Sequence, residues 1–378
     1  MEKAILALED GHFFFGYSFS NTTDREVGGE VIFNTSMTGY QEILTDPSYK
    51  GQIVVMTASE IGNYGINSQD TESEKVQANG FVVKDIPSLY SNWRAEKSLQ
   101  KYLTENNVIG IFGVDTRAVV RVLRKYGVMK GYIGIGDISP EYAVKKARMV
   151  PDISEINLVE KVSPKKIYRW EEGSWDLDKN GFNCVENKKY RVAVIDYGVK
   201  RDILRLLVDR NLDLTCFPHD ISAEEIIDFN PDGIFLSNGP GDPEILHYQI
   251  KQVRKLIHTE IPVFGICLGH QILSWAVGGR TYKLEFGHHG GNHPVKNLKT
   301  GKIEITAQNH NYATDPESLP EDVEITHINL NDNTIEGIKM KNYPVFSVQH
   351  HPEAAPGPHD SHYIFDDFVN LIKEIKGA

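Results

Sequence analysis

From Arg191 onward, short apolar runs alternate with amphipathic ones: "VAVIDYG", "LDLTCF", "GIFLSN" and "VFGIC" are separated or followed by "KRDILRLLVDR", "SAEEIIDF", "YQIKQVRKLIH" and "GHQILSWAV". Strands that alternate with helices run parallel, because each helix carries the chain back over the sheet in a right-handed crossover. Ser222 followed by Glu225 forms a capping box that marks the start of the second helix. In an open parallel sheet the ligand crevice lies off the carboxyl ends of the strands, which is where "SNGPGDP" and Cys267 fall. The expectation for residues 191–378 is therefore an open, mostly parallel α/β domain.

The first half has a different grammar. "AILALEDGHFFFGYSF" places two apolar runs around Asp10-Gly11, a dipeptide suited to the positive backbone angles of a tight hairpin. Strand-like runs follow at "EVIFN", "QIVVMTA" and "GFVVKDI", then helix, strand and helix through "SLQKYLTENNVIGIFGVDTRAVVRVLRKYG". Residues 1–150 are thus expected to form an α+β domain with a mixed sheet. Residues 151–190 are polar, charged and without sustained periodicity, as befits a connection between domains, although Trp170 and Trp175 argue that parts of it pack on a surface. A chain of 378 residues exceeds what one core usually serves, which agrees with two domains.

Composition excludes several classes. The net charge is −12 with acids and bases interleaved, so the chain lacks the basic arm of a nucleic-acid binder. "MEKAILALEDGH" carries acids where a signal peptide needs bases, and no apolar run approaches the roughly 18 residues of a membrane span, so a cytoplasmic protein is expected. Three cysteines, Cys184, Cys216 and Cys267, lie far apart with no C-x-x-C, which argues against a disulfide framework or a structural zinc site.

Cys267 has a distinctive neighbourhood. In "VFGICLGHQIL" it sits at a strand-to-helix corner between Gly265 and Gly269, glycines that permit a sharp turn like the serine elbow of hydrolases. The helix that follows aims its N–H groups and positive dipole end at the sulfur, a setting that favours a nucleophilic thiolate. The competing possibility is a small buried residue at a strand end, the fate assigned to Cys216 and, without such flanks, to Cys184. "FLSNGPGDP" after an earlier strand can turn backbone N–H groups toward an oxyanion. Near the C-terminus, "PVFSVQHHPEAAPG" is a strand that breaks into histidines followed by Glu353, which supplies a general base and a carboxylate to orient it.

Taken together, "SNGPGDP", "GICLGHQ" and "QHHPE" resemble the class I, triad-type glutamine amidotransferases. "FNTSMTGYQEILTDPSY", "GVDTRAVVRVLRKYG", "FGHHGGNHPV", "TAQNHNYA" and "EAAPGPHDS" extend the resemblance over nearly the whole chain, to the small, glutamine-hydrolysing subunits of carbamoyl phosphate synthetases. The resemblance implies an N-terminal small-subunit domain followed by a class I glutamine amidotransferase domain. It implies that Cys267 attacks the amide carbonyl of L-glutamine to give a γ-glutamyl thioester, with His351 as acid and then base and Glu353 holding its tautomer. It places the backbone N–H groups of Leu268 and Gly239 in an oxyanion hole, and Ser48, Gly241, Gln271, Asn309, Asn311 and Tyr312 at the bound glutamine, with Ser48 contributed by the first half.

The implied partner is the large subunit of carbamoyl phosphate synthetase, which would receive the ammonia and hold ATP and magnesium, for arginine or pyrimidine biosynthesis. No cofactor is expected in this chain, which has no G-x-x-x-x-G-K-[ST] loop. His288, His289 and His293 lack a neighbouring cysteine or carboxylate at ligand spacing and are expected to be structural rather than a metal site. His270 and His310 are expected to serve as hydrogen-bonding groups lining the pocket.

Asn311 and His350 stand where the family usually has glycine; asparagine tolerates positive backbone angles, whereas His350 is expected to crowd the catalytic strand end. Alternatives are a glutaminase subunit serving another acceptor, a stand-alone γ-glutamyl hydrolase, and a regulatory binding protein that has lost catalysis.

Overall fold

The computed structural model describes residues 2–377, which divide into two compact units. The first takes in the chain through Leu158 together with Leu284–Gly290; the second holds Val159–Lys283 and the chain from Gly291 onward.

The first unit is built on a closed barrel of seven strands: β1 Lys3–Leu8, β2 Phe13–Ser18, β3 Glu26–Asn34, β4 Gln52–Met56, β5 Gly80–Val82, β6 Ile109–Phe112 and β7 Met129–Ile135. Their order around the barrel is β1-β2-β6-β5-β4-β3-β7. Closure comes from β7, which pairs antiparallel with both β1 and β3 and so leaves no open edge. The sheet is mixed, as expected, since β3, β4, β5 and β6 pair in parallel. The β1–β2 hairpin turns at Asp10-Gly11, with Gly11 at φ +109°. Alternate strand residues serve different cores. Val31, Phe33, Ile53, Val55, Ile109 and Ile133 pack together, and Ile32, Val54 and Phe81 join Tyr40, Ile43 and Leu103 from flanking helices.

The second unit carries a ten-stranded sheet. Its strands are β8 Tyr168–Trp170, β11 Tyr190–Asp196, β12 Leu212–Pro218, β13 Gly233–Leu236, β14 Val263–Ile266, β15 Thr281–Asn297, β16 Ile303–Thr314, β17 Val323–Asn329, β18 Ile335–Met340 and β19 Val345–Val348; β9 Glu172–Asp176 and β10 Gly181–Cys184 form a separate hairpin. The order is β16-β15-β17-β18-β19-β14-β13-β11-β12-β8. The centre, β12-β11-β13-β14-β19, is parallel, as the strand–helix alternation requires. Antiparallel strands flank it: β8 on β12 at one side, β17 on β18 and β18 on β19 at the other. The sheet is therefore mixed rather than mostly parallel. The segment 151–190, expected as an irregular connection, contributes β8 and the β9–β10 hairpin, in which Trp175 pairs across to Phe182.

The two faces of the parallel centre read off the alternation. Ala193, Ile195, Ile234 and Leu236 pack with helix residues Ile226, Val253 and Ile272 on one side. Val192, Val194, Phe235 and Phe264 pack with Ile203, Leu207, Phe365 and Phe368 on the other. Burial on both faces is what allows near-continuous apolar strands here. The capping box is present at the helix Ala223–Asp228, with the Ser222 hydroxyl accepting from the Glu225 N–H and the Glu225 carboxylate accepting from the Ser222 N–H. No helix among the described residues is long and apolar enough to cross a membrane.

Candidate active site

The parallel strands β14 and β19 are neighbours, with Ile266 opposite Val348, so their carboxyl ends open at the same place. Cys267 follows the first and His351 the second. Cys267 has φ +52° and ψ −105°, a region an L-residue occupies only under constraint. The constraint is visible on both flanks: a Cβ on Gly265 would lie 2.9 Å from the Gly269 carbonyl carbon, and one on Gly269 would run into the Leu236 carbonyl. Only glycine lets strand and helix approach this closely. The Cys267 N–H donates to Val348 O at 2.9 Å, tying the elbow to β19, and the sulfur is buried and donates to Asn309 O at 3.5 Å.

His351 is anchored by its own backbone. Its N–H donates to Ala307 O at 2.9 Å, while the preceding Gln349 N–H donates to Glu336 O at 2.9 Å. The His351 Nδ1 is 2.7 Å from Glu353 Oε1, which fixes Nδ1 as the donor and turns Nε2 the other way. That Nε2 is buried with no hydrogen-bond partner. Burial pushes His351 toward its neutral form, yet attraction to Glu353 and Cys267 outweighs it and raises the pKa to about 10. Burial likewise works against the Glu353 carboxylate, and the charges of Lys200 and His351 overcome it, lowering its pKa to about 2.

Lys200 was not legible as a site residue. It is buried, and its Nζ donates to Glu353 Oε1 at 2.7 Å and to Ala354 O at 2.6 Å. The loop after β11 that delivers it is held by Asp196, whose Oδ1 accepts from the Gly198 and Val199 N–H groups at 2.8 Å each. The Lys200 N–H in turn donates to Asn238 Oδ1 at 3.1 Å. Its position at the end of a strand of the parallel centre is the only sequence signal.

The loop after β13 presents Gly239 and Gly241, the latter at φ +94°. A Cβ on Gly239 would lie 2.5 Å from Tyr197 O and 2.8 Å from a Leu268 methyl, so this backbone is pressed against the start of the helix Leu268–Ala276. Leu268 is the first residue of that helix, where an N–H has no intrahelical acceptor. Gln271, one turn on, donates from Nε2 to Tyr312 O at 3.0 Å and to Gln349 Oε1 at 3.1 Å. Asn309, Asn311 and Tyr312 are buried together in β16. Ser48 belongs to the first unit, buried in the turn Pro47–Tyr49 with its N–H donating to Asp46 Oδ1 at 2.8 Å.

The histidines sort by their partners. His270 uses Nδ1 on Ser347 Oγ at 2.8 Å and Nε2 on Thr314 Oγ1 at 3.0 Å, and burial lowers its pKa to about 3. His310 uses Nδ1 on Tyr312 O and Nε2 on Gln308 Oε1. Asn311 lies in strand β16 and is absent from the residues with positive φ, so its tolerance of such angles is not called upon. His350, expected to crowd the catalytic strand end, has its ring buried near Glu336 and His327.

The family model for the carbamoyl-phosphate synthase small chain, CPSase domain, matches residues 6–133, and that for class-I glutamine amidotransferases matches residues 193–371. A carbamoyl phosphate synthase small chain from Aquifex aeolicus (strain VF5) is 61% identical over 372 residues, covering 98% of this chain and 99% of its own. The chain belongs to the carbamoyl phosphate synthase small-chain family. Small chains from Syntrophotalea carbinolica (51% identical, 98% of each chain covered) and Photorhabdus laumondii subsp. laumondii (50% identical, 99% of this chain and 97% of theirs covered) are similar as well. As a member, it is a glutamine-hydrolysing small chain, and the Cys267 elbow and the His351 strand end lie within its class-I glutamine amidotransferase domain.

Proposed function

We propose that the chain hydrolyses L-glutamine through a thioester on Cys267 and passes the ammonia to the large chain of carbamoyl phosphate synthase, where ATP and magnesium would be held. The observation that carries this reading is the convergence of Cys267, His351 and Glu353 at the carboxyl ends of two adjacent parallel strands.

The sulfur, as thiolate, attacks the side-chain amide carbon, and the developing oxyanion takes hydrogen bonds from the Leu268 and Gly239 N–H groups. The tetrahedral intermediate collapses by breaking the C–N bond, with the His351 imidazolium giving its proton to the departing nitrogen. Ammonia leaves and a γ-glutamyl thioester remains. Acylation also removes the negative charge on sulfur, one of the two attractions that keep His351 protonated. The imidazole, having lost its proton, is then suited to take one from water, and the hydroxide adds to the thioester. Thiolate departs, glutamate is released and His351 is an imidazolium again. Glu353 keeps Nδ1 as a donor throughout, and Lys200 keeps Glu353 ionised. Gln271, Asn309, Asn311, Tyr312 and Gly241 are assigned to the glutamine contacts, as is Ser48 on the family resemblance alone.

The test uses the chain assembled with its large-chain partner. C267S should abolish glutamine-dependent carbamoyl phosphate synthesis while synthesis from free ammonia continues. Glutamine-dependent product from C267S, or loss of both activities in a complex that still assembles, would overturn the proposal.

A further inference from the structure

Behind the strand end that carries His351 lies a buried carboxylate, Glu336 on β18, with its side chain 0% exposed. Its Oε1 accepts from Asn329 Nδ2 at 3.0 Å, and its Oε2 faces His350 Nδ1 at 3.6 Å. His350 is itself fully buried, and neither ring nitrogen makes a hydrogen bond. Burying an imidazole with neither nitrogen bonded is unfavourable unless a nearby group compensates, and the Glu336 carboxylate is a charged group that faces it.

Other histidines also face this carboxylate: His270 and His327 sense its charge, and a ring nitrogen of His310 lies within 4.8 Å of it. His270 is committed to Ser347 and Thr314, and His327, from β17, to Thr326 Oγ1 at 2.9 Å with Tyr363 OH at 3.4 Å from its Nε2. Burial lowers the pKa of each to about 3, so both rings are neutral. His350 lies at ion-pair distance from the Glu336 carboxylate.

The location matters for chemistry. Glu336 also accepts the Gln349 N–H through its main-chain carbonyl, so β18 grips the peptide before His350 by the backbone and His350 itself by the side chain. The next residue is His351, whose ring must meet both Glu353 and the reacting atoms. We propose that His350 is a positioning residue: paired with Glu336, it pins the end of β19 so that His351 holds its reactive geometry. This inference rests on the assignment of Cys267 and His351 as nucleophile and acid–base.

The experiment measures glutamate release by the small chain in complex with its large chain for wild type, H350L, H350N, E336Q and H350L/E336Q, with C267S alongside. Misplacing a proton donor weakens a transition-state interaction rather than ground-state binding. H350L should lower kcat by about tenfold, equivalent to about 1.4 kcal/mol of barrier, with KM changed less than about twofold. H350N, whose amide nitrogen can occupy the Nδ1 position, should retain most of kcat and guards against a mere packing defect. E336Q should lower kcat similarly, and the double variant should be no worse than either single one, since both remove the same contact. Wild-type kcat in H350L, a loss in H350N equal to that in H350L, or losses that multiply in the double variant would each overturn the inference. An inactive wild type, or glutamate release by C267S, would instead overturn the underlying assignment of the site.

Discussion

At the scale of single residues, the candidate site is a run of buried charges: Lys200 and His351 hold Glu353 ionised, Glu353 helps to keep His351 protonated, and His351 faces Cys267. Linkage gives this a pH signature. The depressed Glu353 pKa means that its contribution is complete above the ordinary 4.5 and is lost as pH falls toward about 2. The raised His351 pKa means that its contribution is complete below the ordinary 6.5 and is lost as pH rises through about 10. The difference in Tm between wild type and E353Q should therefore be largest between pH 4.5 and 6.5 and narrow on both sides, as thermal melts across pH would show; a pH-independent difference would contradict the coupling. K200M should cost about 3 kcal/mol or more in denaturant unfolding, because it removes one of the two cations that hold Glu353 ionised in the interior. A loss under about 1 kcal/mol would mean that Glu353 is stabilised without Lys200. The elbow at Cys267 was legible from its flanking glycines, whereas a buried lysine declares itself only through its partner, and Lys200 and Glu353 are 153 residues apart.

At the scale of elements, the elbow depends on β14, β19 and the helix Leu268–Ala276 approaching one another with no side chains between them. Gly269→Ala would drive a Cβ into the Leu236 carbonyl, a backbone atom that cannot swing aside. Overpacking of this kind costs about 1–3 kcal/mol, and because it moves the residue pair that presents Cys267 and Leu268, kcat should fall by more than the stability loss explains. Gly278→Ala supplies the control: nothing lies within 4 Å of a Cβ there, but its φ of +105° means that it carries strain without reaching the elbow. It should lose stability while keeping kcat, and equal kcat losses in the two variants would argue against a role for the Leu236 approach. The parallel strands and their helices were legible because local periodicity encodes them. The antiparallel additions were not. β15 reads "TYKLEFGHHGGNHPVKN", whose glycines and histidines blur any alternation, and β8 is three residues long and gains its place only by pairing with β12.

At the scale of the whole molecule, the order of motifs along the chain was legible, and so was the hairpin at Asp10-Gly11, because each rests on short-range chemistry. Barrel closure was not, since it requires β7 to find β1 across more than a hundred residues and no local pattern records that pairing. The same holds for the proposed triad, where Cys267 and His351 follow different strands and the parallel pairing of β14 with β19 brings the strand ends together. The proposed mechanism requires glutamine to pass through a covalent bond to that one sulfur. Acid-quenching the complex during glutamine turnover and sequencing the small chain by mass spectrometry would capture that bond. A γ-glutamyl group should appear on Cys267 and vanish in C267S; glutamate release with no adduct at Cys267, or with the adduct on another residue, would contradict it.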